Sequence, residues 1–198
     1  MIEAAVAAIR AGRLAIVPTN TVYGLATTPY REGAVRRLYR AKRRGELQPT
    51  ALVAADLVLI FECVPELRGR SGTIARALLP GPLTLVLPNP GRRFRWLTGS
   101  TPDAIGVRVP DLDGPGREIL AGVGAYVATS ANLPGGPDPA TVEDVPPELR
   151  AAVDAMVDAG GLPGTASTVL DFTDPEPKVL RDGAVLAEDA LRLVAHLV

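Results

Sequence analysis

Apolar residues recur over several stretches of the chain at the spacing of three and four positions that is typical of an amphipathic helix. Residues 2–11 show this spacing and are followed by Gly12, which suits the turn after a helix end. Residues 32–43 show it as well, with arginines on the polar face and Gly45 marking the end. The same pattern predicts further helices at residues 57–63, 72–79, 116–121, 148–156 and 188–197.

Short apolar runs between these helices are typical of buried strands. The first run, residues 14–17, ends at Pro18 and therefore leads into a loop. Further strands are predicted at residues 50–55, 83–87, 105–109, 125–128 and 167–172, with a short one at 179–180. Because strands and helices alternate, we expect an α/β fold with a mixed sheet, formed by one domain over residues 1–198. Proline and glycine predict a mobile loop at residues 133–139.

The net charge of −1 conceals an uneven distribution of charge along the chain. Residues 1–98 hold 15 Lys and Arg against 6 Asp and Glu, a balance of +9, while residues 99–198 hold 6 against 16, a balance of −10. Seven of the basic residues lie between Arg31 and Arg44. Such a run is typical of a solvated helix face, and it is also compatible with a basic wall that faces a triphosphate or a nucleic-acid backbone.

Composition argues against several classes of site. The single cysteine, Cys63, cannot form an intrachain disulfide and suits a reducing compartment. One histidine and one cysteine do not make an ordinary zinc site, and a catalytic triad would depend on His196, near the C-terminus. The sequence begins without a basic signal region, and residues 119–137 are too polar to span a membrane, so we expect a cytoplasmic protein without membrane association. Neither a P-loop nor a Rossmann glycine motif is present.

Small hydroxyl and amide side chains cluster where predicted strands end. They occur in residues 18–25, in the T-S-A-N sequence of residues 129–132, and at Ser167 and Thr168. Each group alone is compatible with ordinary turn chemistry. Ligands of open α/β sheets bind beyond the strand ends, however, so a site for a polar ligand is the alternative interpretation.

Four cations are candidates for binding anions. Lys42 and Arg44 close the basic helix, and their side chains can converge only if the helix ends there. They suit either phosphate binding or compensation of the helix dipole. Arg108 lies in an otherwise apolar strand, where it requires an internal partner or a bound carboxylate. Arg181 is a further isolated arginine, in the sequence L-R-D-G.

Taken in order, the motifs resemble those of the YrdC/Sua5 family of threonylcarbamoyl-adenylate synthases. They are P-T-x-T-V-Y-G-L, K-x-R, P-G-P-L-T, V-R-V-P, T-S-A-N, S-T-V and L-R-x-G, and they extend over residues 14–184. The resemblance implies a YrdC-like twisted mixed β-sheet flanked by helices, with a concave basic ligand groove, in the short bacterial form of the family. In this family L-threonine and bicarbonate form a carbamate, whose oxygen attacks the α-phosphate of ATP and releases pyrophosphate. The product serves threonylcarbamoyladenosine (t6A) modification at position 37 of tRNA.

The resemblance also implies roles for residues at matching positions. L-threonine or its carbamate would be held by Thr21, Arg108, Ser130 and Ser167. ATP would be bound by Lys42, Arg44, Gln48, Asn132, Thr141 and Arg181, with Lys42 and Arg44 supplying the catalytic charges. ATP is then a substrate, Mg²⁺ is held mainly by the triphosphate, and a tRNA threonylcarbamoyltransferase complex receives the product.

Three departures from the family pattern leave alternatives open. Asn20 stands where many members have an acid, Asp182 replaces the proline of R-P-G, and residues 133–136 replace a serine-containing sequence. The departures at Asn20 and Asp182 leave open a paralogue with another substrate. An RNA-binding protein is another alternative, although the isoelectric point near 5.9 and the few tyrosines argue against it. A carbamoyl-transfer enzyme of the hydrogenase-maturation type is disfavoured because such proteins are longer and rich in cysteine.

Overall fold

A computed structural model describes residues 1–197. Within them, the strands form one mixed sheet in the order β7-β1-β2-β6-β3-β5-β4-β8-β9. Neighbouring strands are antiparallel except for the pairs β1–β7, β3–β5 and β4–β8, which are parallel. The strands are β1 (Ala15–Pro18), β2 (Tyr23–Thr27), β3 (Ala51–Ala54), β4 (Leu83–Pro88), β5 (Ala104–Arg108), β6 (Ala125–Ser130), β7 (Ala155–Met156), β8 (Thr168–Asp171) and β9 (Lys178–Arg181).

Helices cover the two faces of the sheet unequally. They are α1 (Ile2–Arg10), α2 (Glu32–Ala41), α3 (Leu57–Cys63), α4 (Gly69–Leu78), α5 (Gly114–Val123), α6 (Pro147–Ala152) and α7 (Ala187–Val194), with a 3-10 turn at Arg95–Leu97. On the first face, the apolar side chains of the strands pack with those of α2, α3, α4 and α7. On the second face, Val17, Ala26 and Val53 pack with Ile119 of α5 and Ile9 of α1.

The coverage of the second face stops partway across the sheet, and this positions the site. Side chains alternate between the two faces along each strand. Leu52 and Ala54 therefore enter the first core, while Ala51 and Val53 point to the second face. Because α1 and α5 pack mainly against β1, β2 and β6, the second face of β3, β5, β4 and β8 forms the floor of an open cavity.

The predicted fold class is confirmed, and most predicted elements lie within two residues of those observed. Helix α1 ends at Arg10, and Gly12 follows with φ of 77°, as predicted. Among residues 1–197, no helix is long and apolar enough to cross a membrane.

Two strands were not predicted. Residues 23–25, the second part of the loop predicted at 18–25, instead begin the fully buried strand β2, which pairs with β1 in a hairpin. The helix predicted at 148–156 ends at Ala152, because Val153 is extended and the chain then pairs with β1 as β7. In both places tertiary pairing overrides a weak local pattern.

Candidate functional site

A cavity of about 470 Å³ opens on the uncovered part of the second face. Its floor is made largely of small residues at the centre of the sheet, including Ala51, Ala104, Gly106 and Ala128. A Cβ atom at position 106 would lie 3.5 Å from the Cα atom of Ala51, so larger side chains there would fill the space. The volume falls in the range of small-molecule sites in proteins.

Most of the predicted site residues line this cavity. Their hydroxyl and guanidinium groups come from both edges of the floor and from its centre. The lining includes Thr21, Arg44, Arg108, Ser130, Ser167 and Arg181. Residues far apart in the sequence therefore meet at one place, as expected of a ligand site.

The C-terminal end of α2 directs two cations inward. The helix ends at Ala41, and Arg43 adopts a left-handed conformation with φ of 53°. The amide of Arg43 donates to the carbonyl of Arg40, and that of Arg44 donates to Tyr39, a Schellman arrangement. The prediction that Gly45 ends the helix is wrong, because the chain reverses two residues earlier. This reversal lets Lys42 and Arg44 reach the same strand, β6, while Arg43 stays exposed.

The left-handed arginine gives a test of this turn. A residue with a Cβ atom is disfavoured in that conformation, so we expect Arg43→Gly to raise the free energy of unfolding by about 0.5–1 kcal/mol. Arg40→Gly, at an exposed position inside α2, should instead lower the free energy of unfolding by about 1 kcal/mol. Chemical denaturation of both variants checks the prediction, and a destabilised Arg43→Gly variant would contradict it.

Lys42 is almost completely buried, with 4% of its surface exposed. Its Nζ atom donates to the carbonyl oxygens of Ser130 at 2.5 Å and Asn132 at 2.9 Å, and to Oδ1 of Asn132 at 2.5 Å. Burial, and then the nearby charge of Arg44, lower its pKa to about 8, while Asp138 acts in the opposite direction. Lys42 therefore anchors the turn after β6 and lies at the border of the cavity rather than in its lining.

Arg44 reaches the cavity beside this turn. Its Nη1 atom donates to Oγ1 of Thr129 at 3.3 Å and its Nη2 atom to the carbonyl of Pro49 at 2.5 Å. The buried Nε atom has no hydrogen-bond partner within residues 1–197. Burial lowers the pKa of the guanidinium, and Arg181 acts in the same direction. A charge held at such a cost to folding indicates a site for an anion.

Arg108 occupies the end of β5 on the same floor. Its Nη2 atom donates to Oδ1 of Asn20 and to Oγ1 of Thr21, the latter at 2.9 Å. Neither partner carries a charge, so the guanidinium is held in place but is not paired with a carboxylate of the described residues. Burial lowers its pKa to about 10. Of the two alternatives that the sequence left open, this arrangement favours a bound carboxylate over an internal salt bridge.

Arg181 and Ser167 form the opposite wall. Nε of Arg181 donates to the carbonyl of Ser167 at 2.9 Å, and Nη2 lies 3.0 Å from its Oγ atom. Ser167 also shares a 2.9 Å hydrogen bond with Oγ1 of Thr84. A Cβ atom at Gly183 would overlap the carbonyl oxygen of Ala166, which explains the glycine in the L-R-x-G motif.

Four of the predicted ATP ligands lie outside the cavity lining, namely Lys42, described above, and Gln48, Asn132 and Thr141. Gln48 is exposed on the loop after α2. Oδ1 of Asn132 accepts a hydrogen bond from Nζ of Lys42, and its Nδ2 donates to the carbonyl of Gly136 at 2.7 Å. These bonds fix the start of the 133–139 loop. Oγ1 of Thr141 accepts from the amide of Asp144 at 3.3 Å. Their roles toward a nucleotide stay predictions.

Some basic residues of the run 31–44 fit a solvated helix face, and others fit a wall that faces an anion. Arg31 and Arg37 donate to the carbonyls of Ala11 and Gly12, and Arg36 pairs with Glu32 at 2.8 Å. These arginines form an exposed helix face, as the simpler interpretation predicts. Lys42 and Arg44, near the end of the run, turn inward instead and support the interpretation of a basic wall that faces an anionic ligand.

Among the polar lining residues that sequence analysis missed, Thr84, Tyr126 and Asp171 lie on strands, while Thr50, Thr101 and Thr173 lie outside them. Each of the first three is the second-face residue of a strand that also carries a predicted site residue or adjoins one. Alternation along β6, in which Tyr126, Ala128 and Ser130 share a face, was a signal that could have found Tyr126. Within residues 1–197, no group of three or more His, Cys, Asp and Glu side chains is placed to hold a metal ion.

Comparisons with known proteins match both the sequence and the fold. The family model Sua5_yciO_yrdC, described as telomere recombination, matches residues 7–183. A putative threonylcarbamoyl-AMP synthase of Mycobacterium tuberculosis is 34% identical over 94% of this chain and 86% of its own length. The threonylcarbamoyl-AMP synthase of Pyrococcus abyssi is 32% identical over 96% of this chain, which spans only 56% of that relative. The crystal structure of P. abyssi Sua5 complexed with L-threonine superimposes with a TM-score of 0.87 at 32% identity, over 98% of this chain and 57% of that one.

Proposed function

Since the chain belongs to the Sua5/YciO/YrdC family, we propose that it is a threonylcarbamoyl-AMP synthase, which makes threonylcarbamoyl-AMP and pyrophosphate from L-threonine, bicarbonate and ATP. It would act as a nucleotidyltransferase in t6A modification of tRNA. The observation that carries the proposal is the convergence of three arginines with the predicted hydroxyl groups on one cavity: Arg44, Arg108, Arg181, Thr21, Ser130 and Ser167. A substrate with a carboxylate at one end and phosphates at the other suits this distribution of charge.

The proposed chemistry needs little from the protein beyond positioning and charge. A carbamate forms from a free amine and bicarbonate without a protein nucleophile. The second step is a displacement at phosphorus, which enzymes accelerate mainly by alignment and by neutralising charge on the phosphate oxygens. A lining built of arginine and small hydroxyl groups, without histidine or cysteine, is suited to such a reaction.

Each arginine is assigned a part by its surroundings. Arg108, with its uncharged partners Asn20 and Thr21, would bind the carboxylate of threonine. Arg44, beside the turn that Lys42 anchors, would bind the nucleotide phosphates together with Arg181, which would also orient Ser167 toward the substrate. Mg²⁺ would enter with the triphosphate, whose oxygens are the hard ligands that this ion prefers.

The function is tested by measuring pyrophosphate release from ATP, Mg²⁺ and bicarbonate with and without L-threonine, and with L-serine as the control amino acid. We expect release that depends on L-threonine and bicarbonate, together with a product that contains both threonine and AMP. ATP binding without threonine-dependent release would instead favour a paralogue with another substrate.

The low pKa of Lys42 predicts a pH dependence of ATP affinity. If the turn that Lys42 anchors supports nucleotide binding only while the ammonium is protonated, ATP affinity is highest well below pH 8 and falls as pH rises through about 8, where Lys42 loses its charge. Between pH 7 and pH 9 the Kd for ATP should rise about tenfold. The measurement uses ATP alone, since the amine of threonine also titrates in this range.

The free energy of unfolding over the same pH range shows whether a loss of ATP affinity reflects unfolding of the chain. The pKa of Lys42 is lower in the folded chain than the usual 10.5, so the unfolded chain binds more protons between about pH 8 and 10.5. The contribution of Lys42 to the free energy of unfolding therefore rises with pH while ATP affinity falls. A Lys42→Arg variant, charged throughout, should show no alkaline loss of affinity. The same loss in that variant would assign the titration to another group.

Two further proposals concern macromolecular partners of the chain. A tRNA threonylcarbamoyltransferase complex would consume the product. RNA binding is the alternative function, and salt-dependent affinity for tRNA without threonine-dependent turnover would favour it.

A further inference from the structure

Tyr126 is a polar residue of the cavity that neither the motifs nor the proposed mechanism uses. It lies in the middle of β6 with 1% of its surface exposed, and its ring belongs to the apolar cluster beneath α1 and α5. Its hydroxyl is buried and has no hydrogen-bond partner within residues 1–197, yet the residue lines the cavity. A buried hydroxyl without a partner costs about 1–3 kcal/mol, so native proteins rarely retain one without a reason.

The register of the sheet places this hydroxyl on the same side as Arg108. Val53 of β3 pairs with Tyr126 on one side and with Arg108 on the other. All three side chains therefore point to the second face, and all three line the cavity. The Nε atom of Arg108 is also buried without a hydrogen-bond partner in the described part of the chain.

Both of these groups are hydrogen-bond donors. The Nε atom of a guanidinium can only donate, and burial raises the pKa of Tyr126 to about 12, so the phenol keeps its proton. Two donors on one wall that have no partner within residues 1–197 are suited to acceptor oxygens from a ligand. An anionic group with two oxygens would satisfy both and would be bound more strongly than a neutral one.

We infer that the Tyr126 hydroxyl is a substrate-binding group that donates, together with Nε of Arg108, to the α-carboxylate of the amino-acid substrate. This inference rests on the proposed function and deepens it, because it adds a residue that selects for a free carboxylate. The apolar ring is held by α1 and α5, so the hydroxyl is presented rigidly and loses little conformational entropy on binding.

The test compares the binding of L-threonine and L-threonine amide to the parent chain and to Tyr126→Phe by calorimetry. We expect Tyr126→Phe to weaken L-threonine about tenfold and to change the affinity for the amide less than twofold. The unliganded variant should melt no lower than the parent, since it loses an unpartnered hydroxyl. A purely structural role for the hydroxyl predicts the reverse, a lower melting temperature and equal losses for both ligands.

Tyr39→Phe is the matched control. Tyr39 is equally buried, and its hydroxyl also lacks a hydrogen-bond partner within residues 1–197, but it lies in the first core and not in the cavity lining. We expect its affinity for L-threonine to equal that of the parent.

The outcomes distinguish this inference from the proposed function. Parent-like threonine affinity in Tyr126→Phe, in a parent chain that releases pyrophosphate with threonine, would overturn the inference alone. A parent chain that neither binds threonine nor responds to it would overturn both.

Discussion

Arg44→Ala is expected to reduce kcat/KM for ATP by at least a hundredfold, with the fold intact. Removing one preorganised donor from a site where charge develops typically costs a factor of about 10²–10³ in rate. Arg44 offers two donors and a buried Nε on the cavity wall, and its lowered pKa means that its charge disfavours folding. The melting temperature should therefore change little, because the lost hydrogen bonds are offset by relief of a buried charge. Steady-state pyrophosphate release and thermal melting of the same preparation check both parts.

Two comparisons sharpen this test. Arg44→Lys keeps the charge but loses the planar fork, so it should recover only part of the activity. Arg40→Ala removes an exposed arginine of the preceding helix, α2, and should retain the activity of the parent. Parent-like kcat/KM in Arg44→Ala would remove this residue from the phosphate site.

Local patterns predicted the elements that carry their own signal. The helix predicted at residues 57–63 is observed over that range as α3, which begins after Asp56, whose side chain accepts from the amide of Leu59, and which buries Ile60. Strand β2 was not predicted, because a tyrosine and a glycine obscure its alternation and its burial comes from pairing with β1 and β6. Strand β7 has two residues and exists only through its contact with β1.

The site was predictable as far as its motifs extend. Resemblance pointed to Arg44, Arg108 and Arg181, and the structure brings them to one cavity. It could not reveal that Lys42 is engaged by the carbonyls of Ser130 and Asn132, since that contact depends on the left-handed turn at residue 43. Nor could it reveal the unequal coverage of the sheet, which depends on where α1 and α5 pack.

Charge asymmetry along the sequence has a limited relation to the site. The basic half of the chain supplies Arg44, but the other two lining arginines come from the acidic half. The count of charges over a segment averages exposed helix faces with buried site residues. Burial and the lowered pKa that it causes single out Arg44 and Arg108 better than the count does.

Arg108→Ala is expected to raise the KM for L-threonine about a hundredfold while the KM for ATP changes less than threefold. The reason is the loss of a partly desolvated cation that no carboxylate within residues 1–197 neutralises, so that its proposed partner is the substrate carboxylate. Truncating one member of such a pair typically costs about 2–5 kcal/mol, and 2.7 kcal/mol corresponds to about a hundredfold. Kinetics with each substrate varied in turn at saturation of the other checks the prediction.

The stability of the same variant decides between a ligand-binding and a structural role for Arg108. Thr21 keeps its contact with Thr19 at 3.1 Å after the guanidinium is removed, and the buried charge that disfavours folding is gone. We therefore expect no loss in the free energy of unfolding beyond about 1 kcal/mol. Arg92→Ala, which breaks an exposed ion pair with Asp103, should alter neither KM. A large loss of stability in Arg108→Ala with an unchanged KM for threonine would show that Arg108 is a structural residue, and would leave the carboxylate of the substrate without its assigned partner.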